Sequence, residues 1–163
     1  MQVAFFFFAL TANKKLCTNS FYQKSNTMLK TKKRTRSSLV SSLDKVFSQF
    51  IRLRDTQGGF GRCISCQKVI TYKDCDCGHY INRKHMTTRY DEKNCNAQCR
   101  SCNRFDEGNI QGYRRGLILK IGEKETDLLE VKKHGTSTMG TFELELLIKN
   151  YKQKIKELNH VRI

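Results

Sequence analysis

Two pairs of cysteines, each with two residues between its members, constrain the fold of this chain more than any other feature. The first pair is Cys63 and Cys66, and the second, Cys99 and Cys102, begins 33 residues after Cys66. Pairs with this spacing supply the four thiolates that a tetrahedral Zn²⁺ ion takes in a structural site. Such a closed site has no open position for water, so the sequence predicts a structural zinc ion that joins two parts of one small domain.

The chain has 8 cysteines in all, and such a number also occurs in disulfide frameworks of small secreted proteins. The paired spacing favours zinc over disulfides. Cys75, Cys77 and Cys95 are left over between the pairs, and we expect buried or free thiols there, with replacement of a zinc ligand as the alternative.

The charge of the chain indicates a polyanionic partner. The 163 residues include 31 Lys and Arg against 15 Asp and Glu, a formal net charge of +16, and DNA is the obvious partner of such a surface. A basic protein kept soluble by its charge is the alternative. Residues 1–43 contain no Asp or Glu, but residues 44–163 still have 23 basic and 15 acidic residues, so the N-terminal segment alone does not explain the excess.

We expect residues 1–37 to lie outside the folded domain, which then comprises 38–163. Residues 1–27 are interpreted as an over-extended gene start or a disordered leader, because Met28 opens a plausible natural start. Residues 28–37 form a basic arm that is either solvated or in contact with phosphates. No apolar stretch is long enough to span a membrane. We expect a cytoplasmic protein, because thiolates survive as metal ligands in a reducing cytosol.

Hydrophobic spacing and capping residues predict a mixed α+β domain. The predicted elements are a helix at 38–54 capped by Ser37 or Ser38, strands at 69–72 and 78–82, an extended return at 87–90, a helix opened by the second cysteine pair, a helix from Asn109 to Gly122, a helix at 124–133 and a last helix from Thr141. The last helix is expected to pack or to form a dimer contact rather than to read DNA. A zinc knuckle followed by a helix is typical of a treble-clef finger.

The stretch from Cys63 to Tyr113 holds residues suited to phosphodiester hydrolysis, which needs a base for the water and a hard cation at the phosphate. His79 is the candidate base, Asn94 the residue that orders its loop, and Asn103 a carbonyl ligand for Mg²⁺ or Mn²⁺. Asp91 is the preferred carboxylate ligand, ahead of Asp76 and Asp106. The candidate phosphate contacts are Arg83, Lys84, Arg89, Arg100 and Arg104. Each residue also has a simpler interpretation when it is considered alone. His79 could be a zinc ligand or a structural residue, and Asn94 or Asn103 could be a turn residue. His85 is a weaker candidate for the base.

The order of these residues resembles the HNH, or ββα-metal, nucleases, with Asn103 in place of the last His as in the HNN subgroup. The motifs more closely resemble the lambdoid phage NinG family, also called Rap. They are Cys63 and Cys66, Gly78–Tyr80, Arg89–Asn103, Gly108–Asn109 and Tyr113–Arg114. The resemblance covers roughly residues 40–160, and we expect the leader to have no part in it.

This resemblance implies a zinc-stapled treble-clef ββα-metal core flanked by helices, and an endonuclease that cleaves D-loops and Holliday junctions during phage recombination. A symmetric junction favours a homodimer. Gly78 stands where the general HNH pattern has a metal-binding Asp, so the second metal ligand stays open. The alternatives are an HNH nuclease of the homing or restriction type and a zinc-finger DNA-binding protein without catalysis.

Overall fold

The computed structural model of the protein describes residues 34–160 and shows a mixed α+β fold. The leader and most of the basic arm lie outside these residues. The elements are α1 (Arg36–Asp55), β1 (Phe60–Arg62), β2 (Val69–Thr71), β3 (Cys75–His79), α2 (Met86–Arg89), β4 (Cys95–Cys99), a π-helical turn (Ser101–Phe105), α3 (Ile110–Ile121), α4 (Glu123–Lys132) and α5 (Thr141–His160).

The main core lies between the two long helices α1 and α5. The apolar residues of α1 recur every three or four positions, and this stripe is buried against α5. The ring centroid of Phe47 lies 4.9 Å from that of Tyr151, edge to face. Thr35, rather than Ser37 or Ser38, caps α1, since its hydroxyl oxygen accepts a hydrogen bond from the Ser38 N–H. The burial of residues of α1 and α5 in one core confirms the prediction that the last helix is a packing helix.

Two small antiparallel sheets lie beside this helix pair. Strand β1 pairs with β2, and β3 pairs with β4 in a register that runs from Cys75 opposite Cys99 to His79 opposite Cys95. The prediction of a strand at 78–82 is wrong in its bounds, because β3 ends at His79.

One further prediction for this region is wrong, and one strand of this region was not predicted. Residues 87–90 are not extended, because Thr88 and Asp91 donate backbone hydrogen bonds to His85 and Thr88 and close helical turns. Strand β4 was not predicted, since its buried positions include the polar Asn96 and Gln98, whose partners come from elsewhere in the fold.

Helix α3 seats the first cysteine pair and has the bounds that its caps predict. Asn109 has a left-handed backbone (φ 42°), and its side-chain oxygen accepts a hydrogen bond from the Gly112 N–H, while Gly122 ends the helix. A Cβ atom at Gly116 would lie 1.9 Å from the carbonyl oxygen of Ile64, so only glycine allows this approach. Within residues 34–160, no helix combines the length and the apolar character that a bilayer crossing requires.

Candidate functional site: a cysteine cluster beside a polar cavity

The four paired cysteines come together as predicted. The sulfur atoms of Cys63, Cys66, Cys99 and Cys102 all lie within 4.8 Å of one another, and those of Cys66 and Cys99 are 3.8 Å apart. The first pair follows β1, and the second spans the end of β4 and the π-helical turn. This geometry fits a structural Zn²⁺ ion, which would hold the two sheets and the turn in one arrangement.

Backbone N–H groups point at the sulfurs of this cluster. The Cys102 N–H lies 3.5 Å from the Cys99 sulfur, and the Asn109 side chain donates to the Cys102 sulfur at 3.6 Å. Burial would raise the pKa of Cys63, but the backbone N–H groups of Cys66 and Cys99 outweigh it and lower that pKa. These backbone groups therefore stabilise the thiolate of Cys63, the form that binds a metal ion, whereas burial raises the pKa of Cys66 and raises that of Cys102 to about 12.

His79 and Asn103 line one cavity of about 450 Å³. His79 is the last residue of β3, and Asn103 lies in the π-helical turn that directly follows β4. Arg83 and Glu107 line the same cavity. The two residues that the sequence pairs as base and metal ligand thus reach a common space, with one cationic and one anionic side chain beside them.

The imidazole of His79 is oriented by a backbone carbonyl. Its Nε2 atom lies 3.2 Å from the carbonyl oxygen of Arg89, and because that oxygen only accepts, the proton of this hydrogen bond is on Nε2. The lone pair is then on Nδ1. Burial, opposed by this hydrogen bond and aided by the charge of Arg83, lowers the pKa of His79. The ring is neutral at neutral pH, the form that accepts a proton from water.

Asn94 holds the segment that carries this carbonyl. Its side chain is fully buried. The side-chain oxygen accepts a hydrogen bond from the Ile81 N–H at 2.7 Å, and the amide donates to the carbonyls of Ile81 and Thr88 at 3.0 Å each. These are the side-chain-to-backbone bonds expected of a loop-ordering residue, and they place Arg89 where its carbonyl meets His79.

The side chain of Asn103 is oriented by Asp76. The Asn103 amide donates to Asp76 Oδ2 at 3.2 Å, and Asp76 also accepts two bonds from Arg104 at 2.7 and 2.8 Å. Burial would raise the pKa of Asp76, but the hydrogen bond from Arg104 is the larger effect and lowers it. Among the residues that the structure describes, none donates a hydrogen bond to Asn103 Oδ1, the oxygen predicted to bind a cation.

The preferred carboxylate, Asp91, is not among the residues that line the cavity. Its Oδ1 accepts from the Lys93 N–H at 2.9 Å, and its Oδ2 pairs with Lys132 at 3.0 Å. The carboxylate on the cavity wall is Glu107, which sequence reasoning missed, and Asp106 is exposed next to it. The local signal was weak, because Glu107 has a left-handed backbone (φ 42°) whose direction no spacing rule predicts.

Gly78 is a packing requirement of the β3–β4 sheet. A Cβ atom there would lie 2.3 Å from Oε1 of Gln98. Gln98 is buried, and its amide donates to the Ser65 hydroxyl at 2.7 Å and to the Gly108 carbonyl at 2.5 Å. An aspartate at this position would therefore force the buried Gln98 side chain aside.

The five basic residues predicted to hold phosphates have different environments. Arg83 lines the cavity, and Lys84 is exposed close by. Arg104 pairs with Asp76 and is 54% exposed. Arg100 is exposed and donates to a backbone carbonyl. Arg89 donates two bonds to Asp44 at 2.9 and 2.6 Å and ties α2 to α1, so its contact with a phosphate stays a prediction.

The comparisons with known proteins identify the family. A family model described as Bacteriophage Lambda NinG protein matches residues 10–161. The chain belongs to the NinG family. The match begins at residue 10 and so includes part of the segment that we expected to lie outside the resemblance.

Curated NinG relatives show the same kinship. "Protein ninG" of Escherichia phage 933W is 33% identical over 128 residues, which are 78% of this chain and 61% of the relative. The proteins of the same name from Escherichia phage lambda and Salmonella phage P22 are 32% and 34% identical, over 78% of this chain and 60% and 61% of the relative. The matched region thus spans about three fifths of these relatives. No solved structure matches the chain significantly.

Proposed function

We propose that this NinG protein is a divalent-metal-dependent endonuclease that cuts branched DNA, such as D-loops and Holliday junctions, during phage recombination in the host cytoplasm. The observation that carries the proposal is that His79 and Asn103, from two separate elements, line one cavity. The resemblance to HNN-type nucleases assigns catalytic roles to these two residues.

The order of elements around the cavity supports a ββα-metal site in a treble-clef frame. Strands β3 and β4 pair antiparallel, and the π-helical turn follows β4 directly. His79 comes from the first strand and Asn103 from the helical turn. The four-cysteine cluster joins the end of β4 and this turn to the loop after β1, so a bound Zn²⁺ ion would keep the two catalytic residues in register.

His79 is proposed to act as the general base. Its neutral ring, fixed through Nε2, directs Nδ1 to take a proton from the attacking water. Asn103 Oδ1 and the Glu107 carboxylate are the oxygen ligands that the cavity offers to Mg²⁺ or Mn²⁺. When bound, such a cation neutralises charge at the phosphate and at the leaving oxygen. Arg83 on the cavity wall is placed to hold a phosphate.

A plasmid-nicking assay tests the proposed activity. Purified protein with its zinc content measured is incubated with supercoiled DNA, without added cation and with Mg²⁺ or Mn²⁺. The cation-free condition contains no chelator, because a chelator would also remove the structural ion and unfold the protein. We expect nicking only with the added cation, and its absence under all conditions would refute the nuclease proposal.

The substrate class is tested by a panel of labelled DNAs made of a fork, a D-loop, a four-way junction and linear duplexes. The proposal predicts faster cutting of the branched members. Equal rates on linear and branched DNA would favour an HNH nuclease of the homing or restriction type. A homodimer would present one cavity to each of two strands of a symmetric junction. Sedimentation of the complex with that junction measures how many protein chains bind to it.

A zinc-stapled DNA-binding protein without catalysis is the second candidate. The packing of Gly78 against Gln98 favours it, because an aspartate, which the general HNH pattern has here as a metal ligand, would force Gln98 aside. Binding to DNA without cation-dependent nicking would support this candidate.

A further inference from the structure

A second cluster of metal-ligating side chains includes two of the residues that line the cavity, Cys77 and His79. Cys77 and His79 are two positions apart on β3 and so point to the same side of the sheet, and Cys95 is directly opposite His79 in the register. The sulfurs of Cys77 and Cys95 and one ring nitrogen of His79 lie within 4.8 Å of one another. The cluster shares no residue with the four-cysteine cluster.

We propose that Cys77, His79 and Cys95 form a second binding site for a thiophilic ion of the Zn²⁺ class. Two thiolates and an imidazole are ligands that Zn²⁺ prefers, and three protein ligands leave a fourth position for water. Around a tetrahedral Zn²⁺ ion the sulfurs are about 3.8 Å apart, as follows from a zinc–sulfur bond of about 2.3 Å. Ligand atoms within 4.8 Å therefore reach this geometry through small side-chain shifts.

The position of the cluster gives an ion a route of entry. Cys77 and His79 line the open cavity, whereas Cys95 is fully buried beneath them. Cys75 is a useful contrast, because it is a buried thiol on the same strand that belongs to neither cluster in the described part of the chain. Cys77 and Cys95 thus have neighbours with which to bind an ion, whereas Cys75 is in neither cluster of the described residues.

Ion binding at this site would switch off the reaction, a consequence that rests on the proposed function. A neutral imidazole has one lone pair, and a metal ion that binds either ring nitrogen takes it. His79 then has no lone pair left for the proton of the attacking water. Mg²⁺ prefers oxygen ligands and does not compete for the thiolates, so the same cavity distinguishes an activating hard cation from an inhibiting soft one.

Metal stoichiometry tests the site without reference to activity. Full-length protein is equilibrated with excess Zn²⁺, freed of unbound ion by gel filtration and analysed by elemental mass spectrometry. We expect two ions per chain for the wild type and for the control Cys75→Ala, and one for Cys77→Ser. The ion that Cys77→Ser retains would show that its four-cysteine cluster has folded, and His79→Ala provides a second variant with the same expectation. A wild type with one ion, or a Cys77→Ser protein with two, would overturn the proposal.

An activity measurement then tests the inhibition. Cleavage with Mg²⁺ is followed as Zn²⁺ is added beyond the one ion per chain that the four-cysteine cluster binds. The cleavage rate of each protein is compared with its own rate before the addition. Loss of a general base costs about 100-fold or more in rate, so we expect a fall of that size in the wild type and none in Cys77→Ser. Cleavage that continues with the second ion bound would refute the inhibition. If no protein cleaves DNA, the proposed function fails, while the stoichiometry still decides whether the site exists.

Discussion

Replacement of Asn94 by alanine tests how the loop beside His79 is held. In the native protein the Ile81 N–H donates to Asn94 Oδ1, and the carbonyls of Ile81 and Thr88 accept from its amide. The Thr88 carbonyl also accepts a bond from the Asp91 N–H. Alanine at position 94 therefore leaves two buried backbone groups, both on Ile81, without these partners.

The expected loss of stability follows from these two groups. A buried donor or acceptor left without a partner costs about 1–3 kcal/mol, so Asn94→Ala should lower the free energy of unfolding by about 2–6 kcal/mol. For a chain of this size each kcal/mol shifts the melting temperature by roughly 3 °C, which predicts a decrease of roughly 6–18 °C. Cleavage should fall as well, because the loop that presents the Arg89 carbonyl to His79 is loosened.

Urea unfolding at a fixed Zn²⁺ concentration measures this loss. The control is Asn150→Ala, because Asn150 is exposed on α5 and such changes alter stability by less than about 0.5 kcal/mol. A lower midpoint with an unchanged slope is expected for Asn94→Ala alone. If both variants unfold at the wild-type midpoint, Asn94 does not hold the loop.

Three further predictions concern the frame of the site. Cys99→Ser should lose the structural ion and with it cooperative unfolding, and a variant that keeps both would contradict the zinc assignment. Gly78→Ala should cost about 1–3 kcal/mol by forcing Gln98 aside, whereas Gly140→Ala, whose nearest contact is 3.7 Å away, should not. Burial would raise the pKa of Asp44, but hydrogen bonds from Arg89 and Tyr90 outweigh it and lower that pKa. Asp44 therefore stabilises the fold above its ordinary pKa of about 4, and this contribution is lost as the pH falls below it. Asp44→Asn should unfold earlier than the wild type in urea at pH 7, with a gap that narrows in acid, and a gap that stays constant would refute this.

Local signals predict the four longer helices and the four-cysteine cluster well, but not the short helix α2. The apolar stripe of α1, the Asn109 and Gly122 caps of α3 and the two cysteine pairs each act over a few residues, where helical periodicity, capping and ligand spacing decide the structure. The same rules give the bounds of α4 to within a residue and the start of α5 at Thr141.

The cavity wall depends on longer-range effects that no short pattern contains. The register of β3 and β4 brings Cys95 opposite His79, and Glu107, which has a left-handed backbone, lines the cavity. The sequence offers Arg89 as a phosphate contact, but it does not show that Asp44 on α1 forms an ion pair with it. Each outcome depends on how separate elements meet in space.

Single-turnover cleavage of a DNA fork by His79→Ala tests the central claim most directly, with His85→Ala as the matched control. The His85 ring is half-buried and contacts the Lys133 carbonyl, so this change removes an imidazole of similar exposure that is not among the residues lining the cavity. We predict that His79→Ala binds the fork like the wild type and cuts it about 100-fold or more slowly, while His85→Ala cuts normally. Cutting by His79→Ala at the wild-type rate would contradict the claim that His79 is the base.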